Sequence, residues 1–200
     1  MAESISILIS GILQLLGFLA IPFIWWLIAA KKTASFFRWV GLRKPIVEEE
    51  KPFFAWILAC ATLLAALKFI TPLFVDASDT AYGLFYGRGF VMLPGAIIFS
   101  FLQTGLSEEI FFRGFLAKRL ISKLGYKVGN ILQASAFGLL HGIMFFNIAG
   151  PLAALLFAIL TGLIGGLLCH INEKQADGSI VPGWIIHSTV NLIAALMVMF

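Results

Sequence analysis

Apolar residues along this chain come in unbroken stretches, not in alternation with polar ones. Six stretches stand out, at roughly 5–30, 53–72, 94–120, 128–147, 151–171 and 182–200. Each is close to the ~20 residues with which an α-helix crosses the hydrocarbon core of a bilayer. Proline and glycine punctuate them: Pro52 and Pro72 flank the second, Pro94 opens the third, Gly150-Pro151 separates the fourth from the fifth, and Pro182-Gly183 opens the sixth. The period-2 pattern of a membrane barrel is missing, as are internal repeats and low-complexity tracts. The expected fold is therefore all-α, a polytopic transmembrane helix bundle of about six spans. No Lys or Arg precedes the apolar part of the first stretch, and no small-residue cleavage site follows it. It is expected to be an anchor and not a removable signal peptide.

Composition turns that pattern into an exclusion. Sixty per cent of the 200 residues are hydrophobic, 12% are charged and the mean hydropathy is +1.00. Soluble domains run near 45–50% apolar and about 25% charged. A water-soluble globule of this size cannot bury so much apolar surface, and a disordered chain would not carry it. The net charge of +4 does not indicate nucleic acid. The basic residues sit in short clusters between apolar stretches and not along one face, and 20 aromatics are Phe. Lys31, Lys32, Arg38, Arg43, Lys44, Lys51, Lys118, Arg119, Lys123, Lys127 and Lys174 fall in loops on one side, against Arg88 alone on the other. By the positive-inside rule the basic loops are cytoplasmic and both termini lie outside, in a plasma membrane of bacterial type. The segment 33–43, which mixes aromatic and basic residues, reads either as a helix along the inner interface or as a plain linker. Cys60 and Cys169 both fall inside apolar stretches, so no disulfide framework is expected.

Charge within a span costs at least about 2.5–3.5 kcal/mol per group and is by default functional. The third stretch carries Glu108, Glu109 and Arg113, the fourth His141, and the sixth His187 and Asn191. At about 1.5 Å per residue, these groups fall in one slab of the cytoplasmic half. Polar groups in a dry interior must find partners, so the three helices are expected to converge there. Helical phase sorts the glutamates. Residues i and i+4 lie about 40° apart and i and i+5 about 140° apart, so Glu109 pairs with Arg113 while Glu108 faces elsewhere, toward a cavity. His187 and Asn191 are also i and i+4 and present to one spot. A buried carboxylate near a histidine can take a proton from water, and a second His with an Asn can donate to an oxyanion. That combination reads as a hydrolase acting through water without a covalent intermediate.

The residues fall into three ordered motifs: Glu108-Glu109-Ile-Phe-Phe-Arg113 (E-E-x-x-x-R), Phe137-Gly-Leu-Leu-His141 (F-x-x-x-H) and His187-Ser-Thr-Val-Asn191 (H-x-x-x-N). In this order the set resembles the CPBP family of CAAX proteases and bacteriocin-processing enzymes, which includes the Ras-converting prenyl-protein endopeptidase. The resemblance implies an intramembrane endopeptidase. Glu108 is then the general base, His141 positions the water, His187 and Asn191 form the oxyanion hole, and Glu109 with Arg113 is a stabilising pair. The whole chain, 1–200, is expected to be one membrane domain, with N-terminal helices and the interfacial segment over 1–90 and a catalytic helical core over 94–200. The expected partners are a membrane-associated protein or peptide substrate and the lipid bilayer, not nucleic acid. No cofactor is favoured; the alternative is a zinc ion held by Glu108, His141 and His187. The rival readings are a proton- or ion-coupled transporter, which lacks the repeats and broken spans expected of one, and a non-catalytic immunity or scaffold protein of the same fold, against which the retention of all six motif residues speaks. Lys68 near the outer end of its span is expected to snorkel, and His170 to be interfacial. Ala158, Gly162 and Gly166 are expected to pack closely against another helix, and Phe111, Phe112 and Phe115 to face lipid or core.

Overall fold

The computed structural model describes residues 2–200, and all of its regular elements are helices. Helix α1 is Ala2–Ala29, α2 the short Phe36–Trp39, and α3 Glu50–Ile70. A loop of short 3₁₀ turns leads from α3 into α4, which spans Gly89–Leu124. The helical stretch Tyr126–His170 is broken at Gly150, whose φ of 78° and ψ of 173° belong to a region that only glycine occupies readily. Its halves are α5 (126–149) and α6 (151–170). Helix α7 is Val181–Met199.

The break at Gly150 is a reversal, which the pairing across α5 and α6 makes plain. Gly138 backs onto Gly162, Gly142 onto Ala158, and Asn130 and Gln133 donate to the carbonyls of Gly166 and Gly165. The contacts are antiparallel and centred on Gly150, so the two halves are separate helices and five to six helices are long and apolar enough to cross a membrane. A Cβ on Gly138 would sit 2.3 Å from the Ala158 carbonyl oxygen. Small residues here let two backbones touch, which is how helices gain packing energy in lipid. Polar clasps do the same elsewhere: Gln14 of α1 donates to the Gln103 carbonyl of α4 at 2.8 Å, and the Trp184 indole of α7 to the Phe101 carbonyl of α4 at 2.8 Å.

The two ends of the bundle differ. At one end the basic loops meet: Lys118 pairs with Glu173 at 2.5 Å and donates to the Gly178 carbonyl, and Arg43 pairs with Asp177 at 2.9 Å. The segment 33–43 is neither a free linker nor a helix resting on the interface alone. Val40 is fully buried against Gly114, and the Gly41 carbonyl accepts from the Ile180 amide. At the far end lie the loop 71–88, the Gly150 turn and the C-terminus of α7. The Gly87 amide donates there to the Val198 carbonyl, and Arg88 pairs with Glu3. Within that loop Asp76 accepts from the Ser78 amide and hydroxyl, which hold its carboxyl below the usual range. The Tyr82 amide then donates to the Thr80 hydroxyl. These local bonds fix where Tyr82 enters the bundle.

Helix α4 departs from what its sequence announces. It is π-helical over Phe99–Leu106 and again over Glu109–Ala117. The i→i+5 bonding of such segments widens each turn by about one residue and loosens carbonyls from the ladder. Thr104 answers part of this by donating its hydroxyl to the carbonyls of Phe99 and Ser100, and Ser107 donates to that of Gln103.

Candidate active site

The first motif divides as helical phase predicted. Glu109 and Arg113 are entirely buried, with Arg113 Nη1 3.0 Å from Glu109 Oε1. The approach is off the N–H axis, so the contact is an ion pair and not an aligned hydrogen bond. The Arg113 guanidinium also covers the face of Phe137, 4.1 Å from its centroid, a favourable placement for a cation in a dry site. Glu108 leaves this pair and faces a cavity of about 410 Å³. His141, His187 and Asn191 line the same cavity. Three helices thus bring all four expected catalytic side chains to one wall, with Glu109 and Arg113 packed beneath it.

The contacts add structure that the motifs do not state. Glu108 Oε2 lies 3.9 Å from His187 Nε2, and Glu109 Oε1 lies 3.4 Å from His187 Nδ1. One imidazole therefore stands between two carboxylates, and Glu109 serves His187 as well as Arg113. The other oxygen of Glu109 accepts from Asn172 Nδ2 at 3.3 Å, while Asn172 Oδ1 accepts from the Gly183 amide at 2.9 Å. This ties the start of α7, and hence the height of His187, to the buried carboxylate. His141 Nδ1 is 2.8 Å from the Phe137 carbonyl. A carbonyl only accepts, so the proton is on Nδ1 and the Nε2 lone pair is left for the cavity. Glu108 Oε2 is buried and has no hydrogen-bond partner among the described residues.

Asn191 is held from both sides. Lys68 Nζ donates to the Tyr82 hydroxyl at 2.6 Å, so the Tyr82 proton goes to Asn191 Oδ1 at 2.9 Å. On the opposite edge Asn191 Nδ2 donates to Thr104 Oγ1 at 3.1 Å, because the Thr104 proton is already committed to backbone carbonyls. Both edges give the same amide orientation, and one N–H of Nδ2 has no partner among the described residues. Lys68 accordingly does not snorkel outward, as its position had implied; it turns inward and lines the cavity with Tyr82. Three residues of this network escaped the sequence reading. Thr104 alone left a signal, since it lies one turn before Glu108 on the same helix face. His170 stays apart from the site, bonded to the Tyr126 hydroxyl at 2.9 Å, with its ring tilted against that of Trp56. Phe112 and Phe115 belong to the buried interior. Cys60 and Cys169 are buried free thiols.

Among the described residues no group of three or more His, Cys, Asp or Glu side chains is disposed to hold a metal ion, Glu108, His141 and His187 included.

Comparison with curated proteins gives no match, and comparison with solved structures gives none. A family model does match: that of the Rce1-like type II CAAX prenyl endopeptidases, over residues 89–193. The matched region begins with α4 and ends two residues past Asn191, so it contains every motif residue and covers more than half of the chain. With these motifs gathered on one cavity wall inside an all-helical membrane bundle, the chain belongs to the Rce1-like CAAX protease family.

Proposed function

We propose that this protein is an intramembrane endopeptidase that hydrolyses a peptide bond of a membrane-associated protein or peptide by Glu-activated water. Glu108 is the general base. Water sits between its carboxylate and the Nε2 lone pair of His141, giving one proton toward each. As the water oxygen bonds to the scissile carbonyl carbon, Glu108 takes the proton and the carbonyl oxygen becomes an oxyanion. The free N–H of Asn191 and a proton on His187 Nε2 donate to it, in a cavity whose low polarity strengthens such donors. Glu108 then passes its proton to the amide nitrogen, the C–N bond breaks, and a carboxylate and an amine leave.

The observation that carries the reading is the different fate of two adjacent glutamates. Glu109 has no exposed surface and is packed against Arg113, Asn172 and His187, while the neighbouring Glu108 lines the cavity beside His187. The test is Glu108→Gln, which keeps size and removes the base. Cleavage should be abolished while the protein is still produced and monodisperse in detergent; retained cleavage refutes the assignment. Orientation is part of the proposal. The end of the bundle at which eleven basic residues cluster is read as the cytoplasmic one, by the positive-inside rule.

A further inference from the structure

The last turns of α4 depart from the charge pairing found elsewhere at the basic end of the bundle. Lys118 is taken by Glu173, and Arg43 by Asp177. The next residue, Arg119, has no carboxylate partner among the described residues, and neither has Lys123. Arg119 is nonetheless only partly exposed, and its Nε is buried without a hydrogen-bond partner among the described residues. A guanidinium carries five donors in a flat fork, and a donor left unmade away from water is costly. The sequence offers no acid to answer it. Residues 31–47 hold Lys31, Lys32, Arg38, Arg43 and Lys44, residues 118–127 hold Lys118, Arg119, Lys123 and Lys127, and neither stretch holds Asp or Glu.

Both cations stand on an aromatic shelf. The Arg119 guanidinium covers the face of Trp39, 4.1 Å from the ring centroid, and Lys123 Nζ is 6.0 Å from that of Trp25. The two cations are i and i+4 on one helix, so they share a face. The indoles come from different elements, Trp25 from α1 and Trp39 from α2. They meet through Phe115 of α4, whose ring centroid is 5.7 Å from the first and 6.0 Å from the second. Tryptophan beside lysine and arginine at the end of a span marks the level of the lipid headgroups. Trp25 and Lys123 are both exposed there. Neither the cavity nor any motif residue takes part in the shelf.

We infer that this shelf binds the phosphate of an anionic phospholipid headgroup. The Arg119 fork meets two phosphate oxygens, a geometry that a lysine cannot reproduce. Lys123, one turn further along the helix, adds a point charge, and the two indoles back the glycerol and the first acyl carbons. Charge complementarity selects the occupant. A zwitterionic headgroup would bring its own cation to a surface that has no acid to receive it. One lipid bound there touches α1, α2 and α4 together. Helix α2 is in turn tied to the core, through Val40 against Gly114 and through the Gly41 carbonyl, which accepts from the Ile180 amide just before α7. Occupancy should therefore stabilise the bundle as a whole.

Native mass spectrometry and thermal unfolding of the detergent-solubilised protein test this, with dioleoylphosphatidylglycerol as the probe and dioleoylphosphatidylcholine at the same mole fraction as its control. The expected result is retention of phosphatidylglycerol in preference to phosphatidylcholine, and a higher unfolding midpoint with phosphatidylglycerol alone. Arg119→Gln should weaken that binding roughly 10-fold or more, the loss of a charge-assisted pair of hydrogen bonds. Lys123→Gln should weaken it roughly 5-fold, the worth of one basic residue at an anionic surface. Lys51→Gln, which removes a basic residue of α3, should leave it unchanged. Lys123 is exposed, so Lys123→Gln decides the matter if Arg119→Gln folds poorly. Equal retention of the two lipids overturns the inference. So does unchanged selectivity in Arg119→Gln, or in Lys123→Gln where Arg119→Gln does not fold. An equal loss in Lys51→Gln overturns it as well, since the attraction would then be diffuse. Inorganic phosphate that raises the midpoint as much as phosphatidylglycerol does would make the occupant a soluble anion and overturn the lipid assignment.

Discussion

Arg113 is a cation with no exposed surface to speak of, and its replacement gives the sharpest test of how this site is held together. Arg113→Met keeps an unbranched side chain against Phe137 and removes the charge. Glu109 is then a fully buried carboxylate whose nearest cation is gone. Removing one partner of a buried pair costs about 3–5 kcal/mol, and the lost contact with the Phe137 ring adds about 0.5–2 kcal/mol. For a chain of this length each kcal/mol shifts the unfolding midpoint by about 2–4 °C, so the ion pair alone is worth about 6–20 °C. The assay is thermal unfolding of the detergent-solubilised protein, with folded yield followed by size exclusion. Glu109→Gln/Arg113→Met separates stability from chemistry. The neutral Gln still offers an oxygen to Asn172, so most of the lost stability should return. It cannot face His187 as a carboxylate, so turnover should remain depressed, by at least the ~10²-fold associated with a lost oxyanion donor. A single Arg113→Met variant that unfolds within about 2 °C of the parent would refute the reasoning, because no uncompensated buried charge could then be present.

Three further outcomes are expected. Asn191→Ala should lower kcat by about 10²–10³ with little change in KM, since it removes a donor that acts on the oxyanion; steady-state kinetics on a cleaved peptide reads this directly. Tyr82→Phe should leave the unfolding midpoint near that of the parent and reduce kcat by roughly 2–10-fold, the worth of one hydrogen bond that fixes the Asn191 amide, and an unchanged kcat would dismiss the network from catalysis. Gly150→Ala should destabilise by about 1–3 kcal/mol, because its φ of 78° with ψ of 173° excludes a Cβ; equal stability in thermal unfolding would mean that the α5–α6 turn can relax.

Sequence arithmetic reached the spans and the different facing of Glu108 and Glu109 because both follow from one helix at a time. Apolar length marks a span whatever lies beside it, and Gly150-Pro151 marks a reversal because only glycine takes that backbone angle. The i, i+4 pairing of Glu109 with Arg113 holds even though the helix there is π-helical, a change of bonding that leaves no trace in composition. The contacts of His187 with both glutamates were out of reach, since they depend on how α4 and α7 are rotated against each other. Lys68 and Tyr82 were hidden for a related reason. One sits at a span end, where an outward lysine is the ordinary case, and the other sits in a loop whose path is set by bonds among Asp76, Ser78 and Thr80.

In the proposed mechanism, placing His187 between Glu108 and Glu109 makes the supporting pair part of the chemistry. If Glu109 merely neutralised Arg113, an apolar pair of the same volume would do as well or better, since buried ion pairs seldom add net stability over well-packed hydrophobes. Glu109 is retained at a position where its first oxygen meets both Arg113 and His187 Nδ1 and its second meets Asn172, which anchors the first turn of α7. The guanidinium holds that carboxylate in place, the carboxylate packs against Nδ1 of His187, and the ring so placed points Nε2 toward Glu108. Each step needs the one before it. Apolar replacement of both Glu109 and Arg113 should therefore yield a protein that folds at least as well as the parent if Asn172 is replaced with them, and that no longer cleaves.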